Sequence, residues 1–445
     1  MTLRTLALGF ACVLAPSALA TAGDFSLLTV GKVAAFKHVG DVARDGGVVR
    51  IGRDPNLRTP IDPRCPTVTR AQILSYPQAL QRVATNLDVA LDCTKWQAKG
   101  KGYDYDDPSG TVTKIHYGPD GVRIVVRGAD FTPIAGPVAY LEANLVVGDT
   151  PLRARFHVFA RNDATKIATR RPSAPAAAGE AGFWEVIVGL DDSEAHQQET
   201  IALLEKASKK SRRDGRSPFL LGMIHLYRFG QMITDYASVS DAAKAELLAS
   251  NQWFAKALPL LWDGQHGDSR VPGFVGAGKY VLGIVQGDAA LRAKGLADLA
   301  AAVQVNAFFN VFDYITVVQV AQAGTPEFQQ AFDAVSAYLS DPATLACVVS
   351  QPELCANAGF AAHNLSGSLL VFGDVYAKAG NLQQATQWYT LANGLSDASY
   401  PFKALAASRV ANVAARVAAY QDQDPSNDPP VVGLGEENCA VCHIR

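Results

Sequence analysis

The sequence predicts a multidomain α+β protein, in which an antiparallel β-sandwich over residues 24–170 precedes an α-solenoid-like helical domain over residues 183–420. Two observations lead to this prediction. Apolar residues recur at every second position in the first third of the chain and at helical spacing beyond residue 193. A segment of small residues and prolines over 171–182 separates the two patterns, and we predict that it is a linker.

The start of the chain predicts export. A charged beginning, a short apolar stretch and small residues near position 20 are typical of a secretory signal peptide over residues 1–22. That stretch is too short to span a bilayer, and we expect no transmembrane span in the mature chain. The formal net charge of −2 disfavours a nucleic-acid partner. We therefore expect a periplasmic or secreted protein.

The β-domain is predicted from short alternating runs between turn signals. Valine and isoleucine alternate with polar residues after the turn at 118–121, and similar runs lie on both sides of the turn at 148–151. On this pattern Arg153, Arg155 and His157 share the outward face of one strand, where we expect a solvated edge.

An aromatic, acidic stretch over 96–107 has two interpretations. It is either a strand whose aromatic residues cover the sandwich, or a calcium loop in which Asp104, Asp106 and Asp107 are ligands. With this stretch, residues 54–162 resemble a β-domain found in secreted proteins of Gram-negative bacteria. The resemblance implies the fold and a Gram-negative source, and it carries no known activity.

The cysteines of the mature chain fall into three pairs by position. Because the compartment is oxidising, we predict disulfides between Cys65 and Cys93 and between Cys347 and Cys355. The third pair, Cys439 and Cys442, belongs to a separate motif described below.

The helical domain shows one clear repeat. Ser193 is a predicted helix cap, and the helix after it should run to about Lys209. Between Leu369 and Ala392, leucine, glycine, aromatic and alanine residues recur around a Gly380-Asn381 turn, with a weaker copy from Gly276. This pattern resembles the tetratricopeptide repeat, which implies stacked helix pairs and a surface that binds a peptide or protein.

Two further features come before the C-terminus. The stretch around His363-Asn364 resembles an element of exported bacterial proteins of this helical type, some of which also end in C-x-x-C-H. His363 is a candidate distal haem ligand, with His225 as a weaker candidate, although a lone histidine beside an apolar helix is more often structural. Residues 421–438 are acidic and rich in proline, and we predict an extended linker.

The C-terminal segment 439–445 contains the motif C-x-x-C-H. Random placement of the 7 cysteines and 8 histidines of the chain gives on the order of 0.002 such matches. Two thiols at this spacing attach one porphyrin covalently, and the histidine that follows is placed to bind the iron. The motif resembles that of c-type cytochromes, which implies one haem c held by Cys439 and Cys442, with His443 as the axial iron ligand. A redox disulfide or part of a zinc site stays open.

The sequence thus supports two functions. The first is an exported electron carrier that contains haem c and meets a redox partner protein. The second is a non-haem binding or scaffold protein of the cell envelope, in which the C-x-x-C is a disulfide or metal clip. No nucleophile elbow, phosphate loop or H-E-x-x-H motif indicates an enzyme.

Overall fold

The computed structural model describes most of the chain between residues 26 and 442. The described residues are 26–27, 33–37, 45–52, 60–77, 84–128, 138–148, 150–156, 159–163, 166–169, 172–187, 191–233, 236, 238–264, 267–341, 364–396, 400–422, 424, 427–431 and 442. Among them, β-strands come first and α-helices follow. The coarse prediction of an N-terminal antiparallel β region followed by helices is confirmed.

The strands form two sheets. In chain order, β1 to β13 are Ser26–Leu27, Val33–Lys37, Gly46–Ile51, Thr69–Pro77, Ala84–Leu91, Trp96–Lys99, Gly102–Asp106, Val112–Gly118, Gly121–Arg127, Val138–Val147, Thr150–Phe156, Phe159–Asp163 and Lys166–Thr169. One sheet has the order β1-β11-β10-β4-β5, and the other has the order β12-β13-β2-β3-β9-β8-β7-β6. Strand β1 pairs with β11 in parallel, whereas β11 pairs with β10 in the antiparallel direction that the sequence predicts.

The two sheets share one hydrophobic core. Ile73 and Leu145 of the five-stranded sheet belong to the same buried cluster as Ile115 and Ile124 of the eight-stranded sheet. These side chains come from alternate positions of their strands, which is the period of two that the sequence shows. The disulfide expected between Cys65 and Cys93 is present beside this core.

The expectation of a solvated edge at Arg153 and Arg155 is wrong. Arg155 is 3% exposed and pairs across the sheet with Glu142 of β10, which is 1% exposed. Burial alone would raise the pKa of Glu142, but the charges of Arg155 and Arg153 outweigh burial and lower it. The charge of Arg155 also acts on Arg216 of the helical region. This face of the strand is therefore buried at Arg155. The burial is possible because the carboxylate of Glu142 compensates the arginine charge.

Eleven helices follow in the described residues. In chain order, α1 to α11 are Ala174–Ile187, Glu194–Lys210, Arg216–Met232, Asp241–Leu261, Val271–Gln286, Ala289–Val305, Ala307–Val320, Pro326–Leu339, Asn364–Lys378, Leu382–Leu395 and Lys403–Gln421. The cap predicted at Ser193 is confirmed, since its hydroxyl accepts from the backbone N–H of His196 at 3.3 Å. Of the helices described, none is long and apolar enough to cross a membrane.

The predicted linker over 171–182 is wrong, because most of it lies in helix α1. Its alanines favour a helix, and Pro175 lies in the first turn, where no backbone N–H is needed. The small residues serve close packing. A Cβ atom added at Gly179 would lie 2.8 Å from Leu204 of α2, and one at Gly182 would lie 2.4 Å from Thr200. The helical region therefore begins near residue 174 rather than at 183.

The predicted helix pair over 369–392 is confirmed as helices α9 and α10. Gly380 adopts a φ of 79°, a left-handed conformation that favours glycine, and the Asn381 side chain caps α10. Gly373 lies under the ring of Tyr389, where an added Cβ would approach to 2.3 Å. The repeat pattern thus reflects a close crossing of two helices.

Successive helices pack as pairs. Helix α1 contacts α2, and the same holds for α3 with α4, α5 with α6, α7 with α8, and α9 with α10. A large apolar cluster, here called the main helical core, runs from Phe229 to Val431 and includes Tyr280, Tyr314 and Tyr389. A smaller cluster joins helices α1 to α5.

Candidate functional site

Helix α11 turns two arginines toward the protein interior. Its buried residues recur at helical spacing, and they are Ala406, Arg409, Val413, Arg416 and Tyr420. A guanidinium that leaves water needs a carboxylate and further acceptors, because an unpaired buried charge costs several kcal/mol. The surroundings of α11 therefore have to supply them.

The carboxylate comes from Asp374 of helix α9, which is completely buried. The Nη2 atom of Arg416 donates to its Oδ1 atom at 2.9 Å, and the Nε atom of Arg409 lies 3.3 Å from the same oxygen. The hydroxyl of Tyr389 also donates to this oxygen. Burial alone would lower the pKa of Arg416, but the charge of Asp374 together with the contributions of Tyr420 and Tyr389 outweighs burial and raises it.

The same arginines also bind the chain that follows α11. The carbonyl oxygen of Pro430 accepts from Arg416 Nη2 at 2.8 Å and from Arg409 Nη2 at 3.3 Å. The carbonyl oxygen of Pro429 accepts from the Tyr420 hydroxyl at 2.5 Å. We call Asp374, Arg409, Arg416 and Tyr420 the tail clamp.

The predicted extended linker over 421–438 therefore needs correction at these positions. Val431, which follows the two prolines, is only 6% exposed and belongs to the main helical core. Residues 427–431 lie outside helices and strands, as the composition predicts, but Pro429, Pro430 and Val431 are fixed on the helical domain. The reason is that the carbonyl oxygen of Pro430 accepts hydrogen bonds from the two buried arginines and that of Pro429 accepts one from Tyr420.

A second contact holds the beginning of this segment. Lys378, at the end of α9, is 4% exposed and donates to the carbonyl oxygen of Gln319 at 3.0 Å. Burial lowers the pKa of Lys378 to about 8, and the negative charge of Asp428 opposes this shift. The side chain of Gln421 donates to the Lys378 carbonyl at 3.1 Å. Asp428 therefore lies within electrostatic reach of a buried lysine.

Of the predicted haem-attachment residues, Cys442 lies within the described part of the chain. It is half-buried and packs against the main helical core, the cluster that also contains Val431. Cys439 and His443 lie outside the described residues, and so do His363, Cys347 and Cys355. The structure thus brings one residue of the motif to the helical domain.

The other histidine considered as a ligand, His225, belongs to a separate polar cluster. Its Nδ1 atom lies 2.6 Å from a carboxylate oxygen of Glu246, whose second oxygen accepts from Arg228 Nε at 2.8 Å. Arg228 also pairs with Glu194 at 2.9 Å. This arrangement links helices α2, α3 and α4, and it explains the burial of His225 without a ligand.

The acidic stretch after Trp96 is tied to nearby basic residues. Asp104 contacts Lys99 at 2.6 Å and His116 at 2.7 Å, and Asp107 contacts Lys95 at 2.8 Å. Trp96 and Tyr105 are buried in the sandwich core. In the part of the chain that the structure describes, no group of three or more histidine, cysteine or acidic side chains could hold a metal ion.

The sequence prediction missed the tail clamp, although a signal was present. Arg409 and Arg416 are seven residues apart, in line with the apolar residues Ala406 and Val413, so one helical face contains both. Asp374 interrupts an equally apolar helix. Buried charges on two helices indicate mutual pairing, but the partner helix and the tail follow only from the folded structure.

Comparisons with known proteins do not identify the chain: no family model, no curated protein and no solved structure matches it.

Proposed function

We propose that this chain is an exported c-type haem protein that transfers electrons in the periplasm or cell envelope. The observation that carries the proposal is the C-x-x-C-H motif, in which Cys439 and Cys442 form the thioether bonds and His443 is the axial ligand. Haem supplies one-electron chemistry between ferric and ferrous iron when it is bound.

The surroundings of Cys442 support the fit of a haem. A porphyrin is large and mostly apolar, so an attachment cysteine needs apolar neighbours that exclude water from one side of the group. Cys442 packs against the main helical core. The two thiols and the imidazole of the motif provide the donor set, and His363 is our candidate for the opposite side of the iron.

We also propose that the helices form a solenoid of the tetratricopeptide type. Consecutive helices pack in pairs, and each of several pairs packs against the next. Small residues at the crossings support this proposal: Gly276 faces Leu299, Gly283 faces Arg292 and Gly373 faces Tyr389. A stack of this kind presents a long concave surface, on which a redox partner protein would dock.

The proposal is tested by production in a host that attaches haem c. The exported protein should stain for haem after denaturing electrophoresis, and its reduced spectrum in alkaline pyridine should show one covalent haem per chain. The double variant Cys439→Ser/Cys442→Ser should lose the stain. The matched control is Cys65→Ser/Cys93→Ser, which removes a different pair of cysteines and should keep it.

A colourless wild-type protein from such a host would overturn the proposal. Thiol counting and metal analysis on that protein would then identify the alternative, a scaffold or binding protein whose C-x-x-C forms a disulfide or holds zinc. Electron transfer is tested separately by a reversible redox titration. The variant His363→Ala should change the visible spectrum from a six-coordinate to a five-coordinate haem if His363 is the second axial ligand.

A further inference from the structure

We propose that the tail clamp is a positioning site for the C-terminal segment, and that Pro429, Pro430 and Val431 are its bound ligand. Arg409, Arg416 and Tyr420 would donate to the backbone carbonyls of this segment, and Asp374 would hold the two arginines in place. The buried side chain of Val431 would complete the anchor. The motif over 439–443 would then be held beside the helical domain rather than carried on a free tether.

The charges within the clamp support this role. Arg409 and Arg416 bring two positive charges to Asp374, whose carboxylate carries one negative charge. One carboxylate does not accept all the N–H donors of two buried guanidinium groups. The Pro430 carbonyl oxygen accepts a further hydrogen bond from each of them. The tail carbonyl therefore helps to compensate the buried arginine charges of the clamp.

The positions of Val431 and Cys442 support the same conclusion. Val431 and Cys442 are 11 positions apart, and both pack against the main helical core. A chain of this length reaches roughly 36–40 Å when it is fully extended. Since Val431 and Cys442 both contact this one cluster, the anchor at Val431 shortens the stretch of chain that loses conformational freedom when Cys442 is placed.

The first test uses protein made without haem, so its result does not depend on the proposed function. Under conditions that keep Cys442 reduced, a small maleimide should modify it slowly, and peptide mass spectrometry reads modification at this residue. Tyr420→Phe removes the hydroxyl that binds Pro429 and should increase the rate about fivefold, the effect of one hydrogen bond.

Tyr389→Phe is the matched control. It removes the hydroxyl that donates to Asp374, and this hydroxyl makes no hydrogen bond to the carbonyls of Pro429 and Pro430. Its labelling rate should stay within about twofold of wild type. Equal acceleration in both variants, or none in Tyr420→Phe, would overturn the proposal.

A stronger pair of variants acts on the tail itself. Val431→Asp places a charge at a buried position and should release the segment, so that labelling of Cys442 increases at least about tenfold. Val431→Ile keeps an apolar side chain and should label like wild type. Because Val431 belongs to the main helical core, labelling is compared under conditions in which circular dichroism shows the same helix content for both variants. Unchanged labelling in Val431→Asp would also overturn the proposal.

The second test rests on the proposed function and uses the haem-loaded protein. If the clamp positions the haem edge against apolar side chains, Val431→Asp should expose the haem to water and shift its midpoint potential, whereas Val431→Ile should not. A loaded protein whose potential is the same in both variants would contradict the positioning role. A protein without haem would contradict the proposed function and leave the labelling result standing.

Discussion

Glu142 in the β region and Asp374 in the helical region are both buried carboxylates that lie between two arginines. Glu142 is 1% exposed and binds Arg153 and Arg155, while Asp374 is 0% exposed and binds Arg409 and Arg416. In each place the arginine charges make the buried carboxylate tolerable. The chemistry of the two centres is therefore the same.

The difference lies in where the guanidinium donors point. Both the Nε and Nη2 atoms of Arg155 donate to one oxygen of Glu142, at 3.2 and 2.9 Å. The Nη2 atom of Arg416 instead divides its contacts between Asp374 and the Pro430 carbonyl. The first centre joins neighbouring strands, whereas the second connects two helices and also holds a distant segment. A buried ion cluster thus serves as a binding site when one of its guanidinium groups contacts both its acid and a carbonyl oxygen of a distant segment.

The largest effect is expected from removing either acid. Asp374→Asn and Glu142→Gln keep the side-chain size but leave two arginine charges uncompensated, and each should lower the free energy of unfolding by about 3–5 kcal/mol. Urea denaturation measures this effect. Only Asp374→Asn should also speed the modification of Cys442, because only its arginines bind the tail.

The proposed difference between the two centres would be contradicted if Glu142→Gln speeds the modification of Cys442 as strongly as Asp374→Asn does. That result would mean that global loss of stability, rather than the clamp, governs access to the motif. Both variants should therefore be labelled at a urea concentration at which each remains folded by circular dichroism.

These two centres also show what sequence patterns predict and what they leave open. The period of two and the helical spacing located the sheets and the pair α9–α10, because burial on one face leaves a periodic signal. The same reasoning misassigned Arg155 and the 171–182 segment. A polar residue on an outward strand face looks solvated until a partner covers it, and alanine, glycine and proline favour either a linker or a closely packed helix.

The tail was mispredicted for a related reason. Its composition predicts no helix or strand, which agrees with residues 427–431, but composition does not tell whether an irregular segment is held by other parts of the chain. The attachment of the tail to the helices depends on Asp374 and Arg416, which are 42 positions apart in the sequence. The C-x-x-C-H motif is visible in the sequence because its residues are close together along the chain, whereas the clamp is assembled from two helices, α9 and α11.

Lys378 provides a prediction of intermediate size next to the Asp374 centre. Its pKa of about 8 in the folded protein lies below its usual value of 10.5. Between these two pH values the unfolded chain binds the additional proton, so the contribution of Lys378 to stability increases as the pH rises. The 2.5-unit difference corresponds to about 3 kcal/mol between pH 8 and 10.5.

The test compares wild type with Lys378→Met in urea across this pH range. The difference between their unfolding free energies should change by up to about 3 kcal/mol in favour of wild type as the pH rises. Asp428→Asn should lower the pKa of Lys378 further, since it removes the negative charge that opposes the shift. Parallel pH curves for wild type and Lys378→Met would contradict the burial of this ammonium group beside the tail.

A smaller effect tests the helix crossing that builds the Asp374 centre. Gly373→Ala would place a Cβ atom 2.3 Å from the ring of Tyr389, so it should destabilise the protein by about 1–3 kcal/mol despite the better helix propensity of alanine. The matched control is Gly394→Ala in helix α10, where an added Cβ meets nothing within 4 Å. This control should stabilise the protein by about 0.5–1 kcal/mol. Thermal denaturation distinguishes the two signs, and stabilisation by both would refute the close crossing.

The smallest effect is expected at Asp104, an acid between two basic residues at the protein surface. Its contacts with Lys99 and His116 are as short as those of the buried centres, at 2.6 and 2.7 Å, but those side chains are 72% and 48% exposed. Water solvates these charges in the folded and unfolded states alike, so Asp104→Asn should lower the free energy of unfolding by less than about 1 kcal/mol.

Asp106→Asn, whose partner Lys114 is 3.9 Å away, is the control and should have an even smaller effect. Urea denaturation in low and high salt measures both, and the small loss at Asp104 should shrink at 1 M salt. A loss as large as that of Glu142→Gln would show that short distance, rather than burial, sets the energy of these acid–base clusters.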